Sequence, residues 1–528
     1  MQRNFLGTKN MAKETKAQRV ERIKKEKDGL DVLQDIYLYA VTGEEVDPED
    51  IDRFKWYGMY TQNKNLQDEN DNTLYFMLRV KLEGGQLTLP QLKVVSEISE
   101  KYARGTADFT TRQDLQFHFI KVVDLPEIFR LLDTVGLSSI FAAGDVPRNV
   151  VSCPINGIDH EEIADVRETV DKLNEAFKGN RLFSNLPRKY KVGVNGCSKN
   201  CMHHEIQDVS FNAVKQENGR VQFAVSVGGG LASNKRIANH IGYVTPSQVV
   251  PTAKAITKIY RDHGLREKRN KARLGHLIEE WGLEKFVEQL QASLTFKIKE
   301  PNDIEYTNSR FREHFGIHES KEKGKSYIGC ALNSGHIGVD GLNNLIKLFE
   351  KYKATLLKCT VTQNIIILDA NSDTAEEFAQ ELEKVGIYPY PSNFRARVQA
   401  CTGIDFCKFA ISETKGVAKR LVDHLENKFP DFGERVSISV NGCPNSCAHP
   451  HIVDIGFMGT KVKKDGKTVT GFELLVGGFL EGNKSQFNQK TGIKFAAEDV
   501  NEHVEELINE YLSSNYSSFH DYIITKAK

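Results

Sequence analysis

The sequence predicts a mixed α+β and α/β protein built from two homologous halves, and three observations carry that reading. VNGCSKNCMHHEIQDVSF from Val194 aligns without gaps on VNGCPNSCAHPHIVDIGF from Val440, and each copy runs on into an apolar strand ending in glycines, FAVSVGGGLASN and FELLVGGFLEGN. An earlier pair, TRQDLQFHFI with DTVGL and VTQNIIILDA with EKVGI, keeps one constant offset at Gln113 and Gln363 and at Gly136 and Gly386. In that pair an apolar strand precedes an amphipathic helix, LPEIFRLLDTVGL or TAEEFAQELEKVGI, the rhythm of an α/β or α+β domain.

The remaining segments follow in chain order. At 528 residues the chain exceeds one hydrophobic core, and roughly three domains are expected. With 40% hydrophobic and 27% charged residues the composition is that of a soluble globular protein, and Lys+Arg and Asp+Glu balance at 71 each, so any anion site must be local. The N-terminus, MQRNFLGTKNMAKETKAQRVERIKKEKDG, is basic and has no apolar run of signal-peptide or membrane-span length, which predicts a cytoplasmic protein with no membrane contact. Its lysines read as a solvated helix face, with docking of an acidic partner as the functional alternative. The polar stretch from about Lys297 to Lys325 joins the halves. In RVSISVNGCPNSC an alternating strand runs into a glycine turn, and Pro444 suits the first position of a helix that would bring Cys443 and Cys447 near one face with backbone N–H groups beside them.

Nine cysteines, an odd number, read as metal chemistry in a cytosolic chain. Cys401 and Cys407 form C-x5-C, and Cys443 and Cys447 form C-x3-C. Four thiolates in two pairs suit zinc or an iron-sulfur cluster; C-x5-C lies outside the usual zinc-knuckle spacing, and neither familiar ferredoxin spacing is present. In the first half, Cys197 and Cys201 are retained and Cys153 lies upstream, but the position six residues past Cys153 is Asp159. Three thiolates and a carboxylate form a conceivable metal set; the preferred reading is that these cysteines pack as a remnant of the duplication. Cys330 and Cys359 stand alone in strand-like runs and read as core.

C-x5-C followed by C-x3-C within VNGCPNSC resembles the siroheme-dependent nitrite and sulfite reductase family, over about Arg53 to Tyr511. That resemblance implies two ferredoxin-like half-domains plus two α/β siroheme-binding domains. The implied boundaries are an N-terminal extension at 1–70, half-domain 1 at 71–138, a siroheme and substrate-face domain at 139–296, a linker at 297–325, half-domain 2 at 326–390 and a cluster domain at 391–528. It further implies that Cys401, Cys407, Cys443 and Cys447 bind a [4Fe-4S] cluster, with Cys447 bridging to the siroheme iron. Siroheme carboxylates and an anionic substrate call for Arg and Lys forks, and the first half supplies them in LRVKLEGG, TTRQDLQFH, DVPRNVVSC and LPRKYKVGV. By resemblance Arg79, Arg148, Lys189 and Lys191 surround the substrate, Arg112 and Arg188 hold siroheme carboxylates, and Gln116, His118, Gln363 and Asn445 lie nearby.

Lys189 and Lys191 flank Tyr190, a Lys-x-Lys pattern that in this family goes with sulfite, and a second ammonium suits a dianion better than monoanionic nitrite. The implied activity is therefore six-electron reduction of sulfite to sulfide, with reduction of nitrite to ammonia as the alternative, since CPINGIDHEE after Arg148 resembles the nitrite branch. No G-x-G-x-x-G after a strand and no Walker loop is present, so electrons come from a separate carrier, by resemblance ferredoxin or a similar one-electron donor. A siroheme-free, metal-stabilised binding protein that takes RNA on its lysine-rich N-terminus is the reading of another class; it leaves the internal Arg and Lys strings unexplained, and no nucleic-acid partner is expected.

Overall fold

The computed structural model describes residues 14–215, 219–232, 235–302 and 312–527. Each copy of the earlier repeat builds an antiparallel sheet with two helices on one face. In the first, strands Met59–Thr61, Phe76–Val80, Leu115–Ile120 and Asp108–Phe109 lie side by side in that order. Helices Leu89–Tyr102 and Leu125–Thr134 cover it. Thr88 starts the first helix through a capping box with Gln91. In the second, strands Gly316–Glu319, Lys325–Cys330, Ile365–Asn371 and Leu356–Cys359 are covered by helices Gly338–Tyr352 and Ala375–Lys384. The glycines at the constant offset end the equivalent helices: Gly136 and Gly386 adopt φ of 70° and 78°, a left-handed conformation that glycine adopts without a Cβ penalty.

The halves are interlocked. Gln86–Thr88, from the first half, pairs with Leu356–Cys359 at the edge of the second sheet. One hydrophobic core runs through both, including Leu92, Phe117, Leu345 and Ile367. Ser96 donates to Asn343 Oδ1 at 2.7 Å where the two long helices meet.

The later repeat builds the other two sheets. Val192–Asn195 runs parallel to Val209–Lys215, which continues antiparallel through Val221–Val227 and Asn239–Val244. The second copy places Val398–Ala400, Ile438–Asn441 and Ile455–Lys464 in parallel and then turns antiparallel through Lys467–Val476 and Gln489–Ala496. Cys330 and Cys359 are fully buried in their strands.

Two stretches differ from the expectations for them. The 297–325 stretch contains the edge strand Gly316–Glu319, paired with Lys325–Cys330, and Lys299 bridges back to Tyr243; the strand is too short to stand out from the polar residues around it, which read as a connector. Residues 303–311 within it lie outside the described residues, as do 1–13 at the N-terminus. The lysine-rich helix Lys16–Glu26 is docked, not simply solvated. Lys24 is buried against Glu21 at 2.5 Å and Asp145 at 3.4 Å, Arg19 pairs with Asp52, and Arg22 reaches Glu14, Glu26 and Glu49. Among the described residues no helix is long and apolar enough to cross a membrane.

Candidate active site

The second-half cysteines leave the sheet on one edge. Cys401 follows Val398–Ala400 and Cys443 lies just past Ile438–Asn441, the neighbouring parallel strand. Glycine is needed at 442, where a Cβ would stand 2.8 Å from Ala410 Cβ and 2.9 Å from the Ser412 carbonyl oxygen.

The helix expected from Pro444 does not form. Residues 444–450 run through turns, with Ser446 and His449 left-handed at φ of 55° and 60°. Local side chains win over helix propagation here: Asn441 Oδ1 accepts from the Ala448 N–H at 3.0 Å, and Ser439 donates to the Ala448 carbonyl, folding the loop back onto its strand. Backbone N–H groups still reach the sulfurs, supplied by turns instead of a helix end. The Gly442 N–H donates to Cys401 Sγ at 3.2 Å, those of Phe409 and Ala410 turn toward Cys407, and that of Asn445 toward Cys443.

Burial, with Cys447 beside it, pushes Cys401 up to about 12; the same two causes raise Cys407 and take Cys443 to about 11. Thiols this reluctant to ionise give up their protons to a cation that binds them.

Gln363 holds this ligand edge in place. Its Oε1 accepts from Ala400 N at 3.1 Å and its Nε2 donates to Ala400 O at 3.0 Å, clamping the residue before Cys401. Gln113 repeats the device, accepting from Ser152 N at 2.9 Å just before Cys153 and donating to Cys359 O at 2.7 Å. Both glutamines are left-handed, at φ of 65° and 54°. The Gln363 amide is thus engaged with backbone.

The basic residues gather opposite the Cys447 loop, which is tied to the first half by Thr111 donating to the Cys447 carbonyl at 2.9 Å. Arg148 donates to Ala142 O at 3.0 Å, Gly144 O at 2.7 Å and the Tyr60 hydroxyl at 3.3 Å. Arg79 reaches Ala142 O at 3.3 Å and Gln116 Oε1 at 3.4 Å. Arg112 donates to Gln207 Oε1 at 2.6 Å and Val192 O at 2.8 Å. Lys189 and Lys191 are half-buried. None of these five cations has a carboxylate within ion-pair distance among the described residues, and the Nε atoms of Arg79, Arg112 and Arg148 are buried without a partner there.

The crowding of charge shows in the titrations. Burial, with repulsion from Arg188 and Arg273, brings Lys189 down to about 8, while Cys447 works the other way. Burial and then Arg112 and Lys189 push Lys191 well below its usual range. Burial alone would raise Tyr60, but Arg148, Arg79 and Lys189 outweigh it and bring the phenol to about 7.

Other expected residues lie around this wall in different ways. Gln116 donates to Thr402 Oγ1 at 3.0 Å, next to Cys401. His118 is fully buried, stacked on Phe406 with ring centroids 3.8 Å apart and 3.6 Å from Asp108 Oδ2. Arg188 is about a third exposed and stands 3.5 Å from Asp145, which also holds Arg269 at 2.6 Å. Asn445 is exposed on the cysteine loop. Tyr60 had no place among the expected residues; the alternating WYGMYT run is the signal for a strand there, and only its pairing with Phe76–Val80 places the phenol among the arginines.

A carboxylate-rich tetrapyrrole suits such a cluster of cations. Partly buried cations without an ion-pair partner cost several kcal/mol unless an anion joins them, and the second-half thiol loop is tied to the same region through Thr111. Fold and site together define a redox enzyme for anions. Comparison with known proteins agrees. The family model for the nitrite and sulphite reductase 4Fe-4S domain matches residues 143–298 and 392–519, and that for the nitrite/sulfite reductase ferredoxin-like half domain matches 67–135 and 318–385. Sulfite reductase [ferredoxin] 1 of Mycolicibacterium paratuberculosis is 34% identical over 93% of this chain and 91% of its own length. A ferredoxin–nitrite reductase of Leptolyngbya laminosa is 35% identical over 89% of this chain and 92% of its own. The structure of the Mycobacterium tuberculosis NirA protein superimposes with a TM-score of 0.90 at 32% identity, covering 96% of both chains. The chain belongs to the nitrite and sulfite reductase family, an oxidoreductase with siroheme and a [4Fe-4S] cluster as cofactors. The reading as a siroheme-free binding protein is set aside by this membership.

Proposed function

We propose that this enzyme reduces sulfite to sulfide with electrons from a ferredoxin-type carrier, and that Cys401, Cys407, Cys443 and Cys447 would hold the cluster, with Cys447 also serving the siroheme. When bound, the coupled centre would relay to the substrate the six electrons that the carrier delivers. The protein's own residues do the rest. Arg112 and Arg188 pair with siroheme carboxylates through charge-assisted bonds. Arg79, Arg148, Lys189 and Lys191 neutralise the substrate as it enters, and each oxygen of the anion then needs protons to leave as water. An ammonium held near 8, as Lys189 is, gives up a proton near neutral pH far more readily than an ordinary lysine.

The observation that carries sulfite over nitrite is the pair Lys189 and Lys191, neither of which has a carboxylate within ion-pair distance of its side-chain nitrogen among the described residues. Two such groups match a dianion. The CPINGIDHEE segment, whose wording leans to nitrite, makes its contacts elsewhere: Cys153 with His314, and Glu162 with Lys321. Relatives named for each substrate match about equally well, so kinetics must decide. Anaerobically purified holoenzyme with reduced ferredoxin is expected to show a higher kcat/KM for sulfite than for nitrite. A clear preference for nitrite overturns the proposal.

A further inference from the structure

The first half holds a second cluster of metal-ligating side chains, made of residues that the proposed chemistry leaves unused. Cys153, Cys197 and Cys201 are buried, and their sulfurs all lie within 4.8 Å of one another, with Cys197 and Cys201 at 3.4 Å. His314, also buried, points its Nε2 at this triangle, 3.0 Å from Cys201 Sγ and 3.9 Å from Cys153 Sγ. The four residues come from three separate places in the chain. Cys153 follows the segment clamped by Gln113, Cys197 and Cys201 stand in the turn after Val192–Asn195, and His314 precedes the strand Gly316–Glu319.

The spacing selects the metal. Two thiolates bound at about 2.3 Å to one tetrahedral zinc stand about 3.8 Å apart, and a thiolate and an imidazole nitrogen about 3.6 Å apart. The distances here bracket those values. A [4Fe-4S] cubane attaches each cysteine to a different iron and so spreads its sulfurs further than a single ion does. Asp159, the acidic residue six positions past Cys153, accepts from the Glu161 N–H and is not part of the group; the imidazole of His314 supplies the fourth donor instead. Three thiolates and one imidazole around Zn²⁺ carry one net negative charge, and the buried Arg312 guanidinium is among the charges acting on Cys201.

We propose that Cys153, Cys197, Cys201 and His314 form a closed Cys3His zinc site. Binding pins the 197–204 loop of the first half to the chain entering the second. A site with four protein ligands and no open position is structural, so its zinc is not part of the redox centre.

The test uses the full-length, tag-free protein purified anaerobically from zinc-supplemented cells. Elemental analysis is expected to find about one zinc per chain in addition to the iron of the redox centre. X-ray absorption at the zinc edge of the wild-type protein should show three sulfurs and one nitrogen. Cys201→Ser and His314→Ala should each lower zinc at least severalfold while iron content and the visible spectrum hold. Should those variants fail to fold, Co²⁺ alone, added to zinc-stripped wild-type protein, must give the intense thiolate-to-cobalt absorption of a tetrahedral site. Three results overturn the proposal: wild-type protein with less than about a tenth of a zinc per chain, a Cys197–Cys201 disulfide in the intact protein, or extra iron that disappears with Cys201→Ser.

Discussion

Replacing Lys191 with Asn removes one ammonium from the basic wall while keeping a polar side chain there. Its backbone N–H already donates to Asp208 Oδ2 at 2.7 Å, so the strand stays anchored and the change falls on the charge. Among the described residues the ammonium has no carboxylate partner. Burial, Arg112 and Lys189 hold it well below its usual range, so an arriving anion favours its protonated form as well as pairing with it. A charge-assisted hydrogen bond contributes about 1.5–3 kcal/mol, and a second charge on the anion moves the loss toward the upper end of that range. At about 1.4 kcal/mol per factor of ten, nitrite should lose roughly tenfold in kcat/KM and sulfite roughly a hundredfold, a tenfold fall in their ratio. The assay is steady-state reduction of both anions by one preparation with saturating reduced ferredoxin, with iron content and visible spectrum matched to wild type. Lys191→Arg should restore most of the sulfite activity. Equal losses for the two anions, or a loss confined to nitrite, refute the argument from paired ammoniums.

On the proposed ligand set, Cys447→Ser is expected to lose cluster iron and the siroheme spectrum together while the other three thiols keep their turns; full retention of both would remove Cys447 from that role. The pH profile should report Lys189. Its charged form prevails below about 8 and is lost above, so kcat/KM for the anion should fall on the alkaline side through that region, and Lys189→Arg should flatten the limb. Gln363→Ala breaks two bonds to Ala400, each contributing about 0.5–1.5 kcal/mol, so urea unfolding should show a loss of about 1–3 kcal/mol and the purified protein should carry less cluster iron. Unchanged stability and iron would mean that the clamp is incidental.

Much of this architecture is legible in the chain because duplication writes it twice. The paired VNGC segments mark two strands and two loops, and the strand–helix runs ending at Gly136 and Gly386 mark the helices and the left-handed residues that stop them. Spacing cannot show what distant segments do to one another. Tyr60 meets Arg148 and His314 meets Cys153 only after the sheets assemble. Pro444 invites a helix by local preference, but Asn441 and Ser439 recapture the loop two turns on, a competition in which side-chain bonds to the backbone outweigh propensity. The clamp by Gln363 was visible as a constant offset with Gln113, yet its meaning lies in a left-handed backbone that turns each amide onto a neighbouring strand.

The duplication also accounts for the difference between the two thiol sites. Gln113 and Gln363 clamp equivalent strand ends, Cys153 corresponds to Cys401, and Cys197 and Cys201 correspond to Cys443 and Cys447, with Asn200 and Ser446 sharing the same left-handed φ of 55°. The copies part at the second cysteine of the first loop. In the second half Cys407 stands across a glycine turn, Gly403 at φ 74°, and its sulfur together with those of Cys401, Cys443 and Cys447 borders a volume wide enough that no three lie within single-ion reach among the described residues. In the first half that position is Asp159, which turns its carboxylate to its own loop, and the three remaining sulfurs close to distances suited to one ion. The first-half set thus differs in geometry as well as in number of thiols, and His314, from a segment outside the cluster loops, stands 3.0 Å from Cys201 Sγ. On this reasoning Asp159→Cys should not restore a second cubane, because the sulfurs already in place stand too close together to take separate irons.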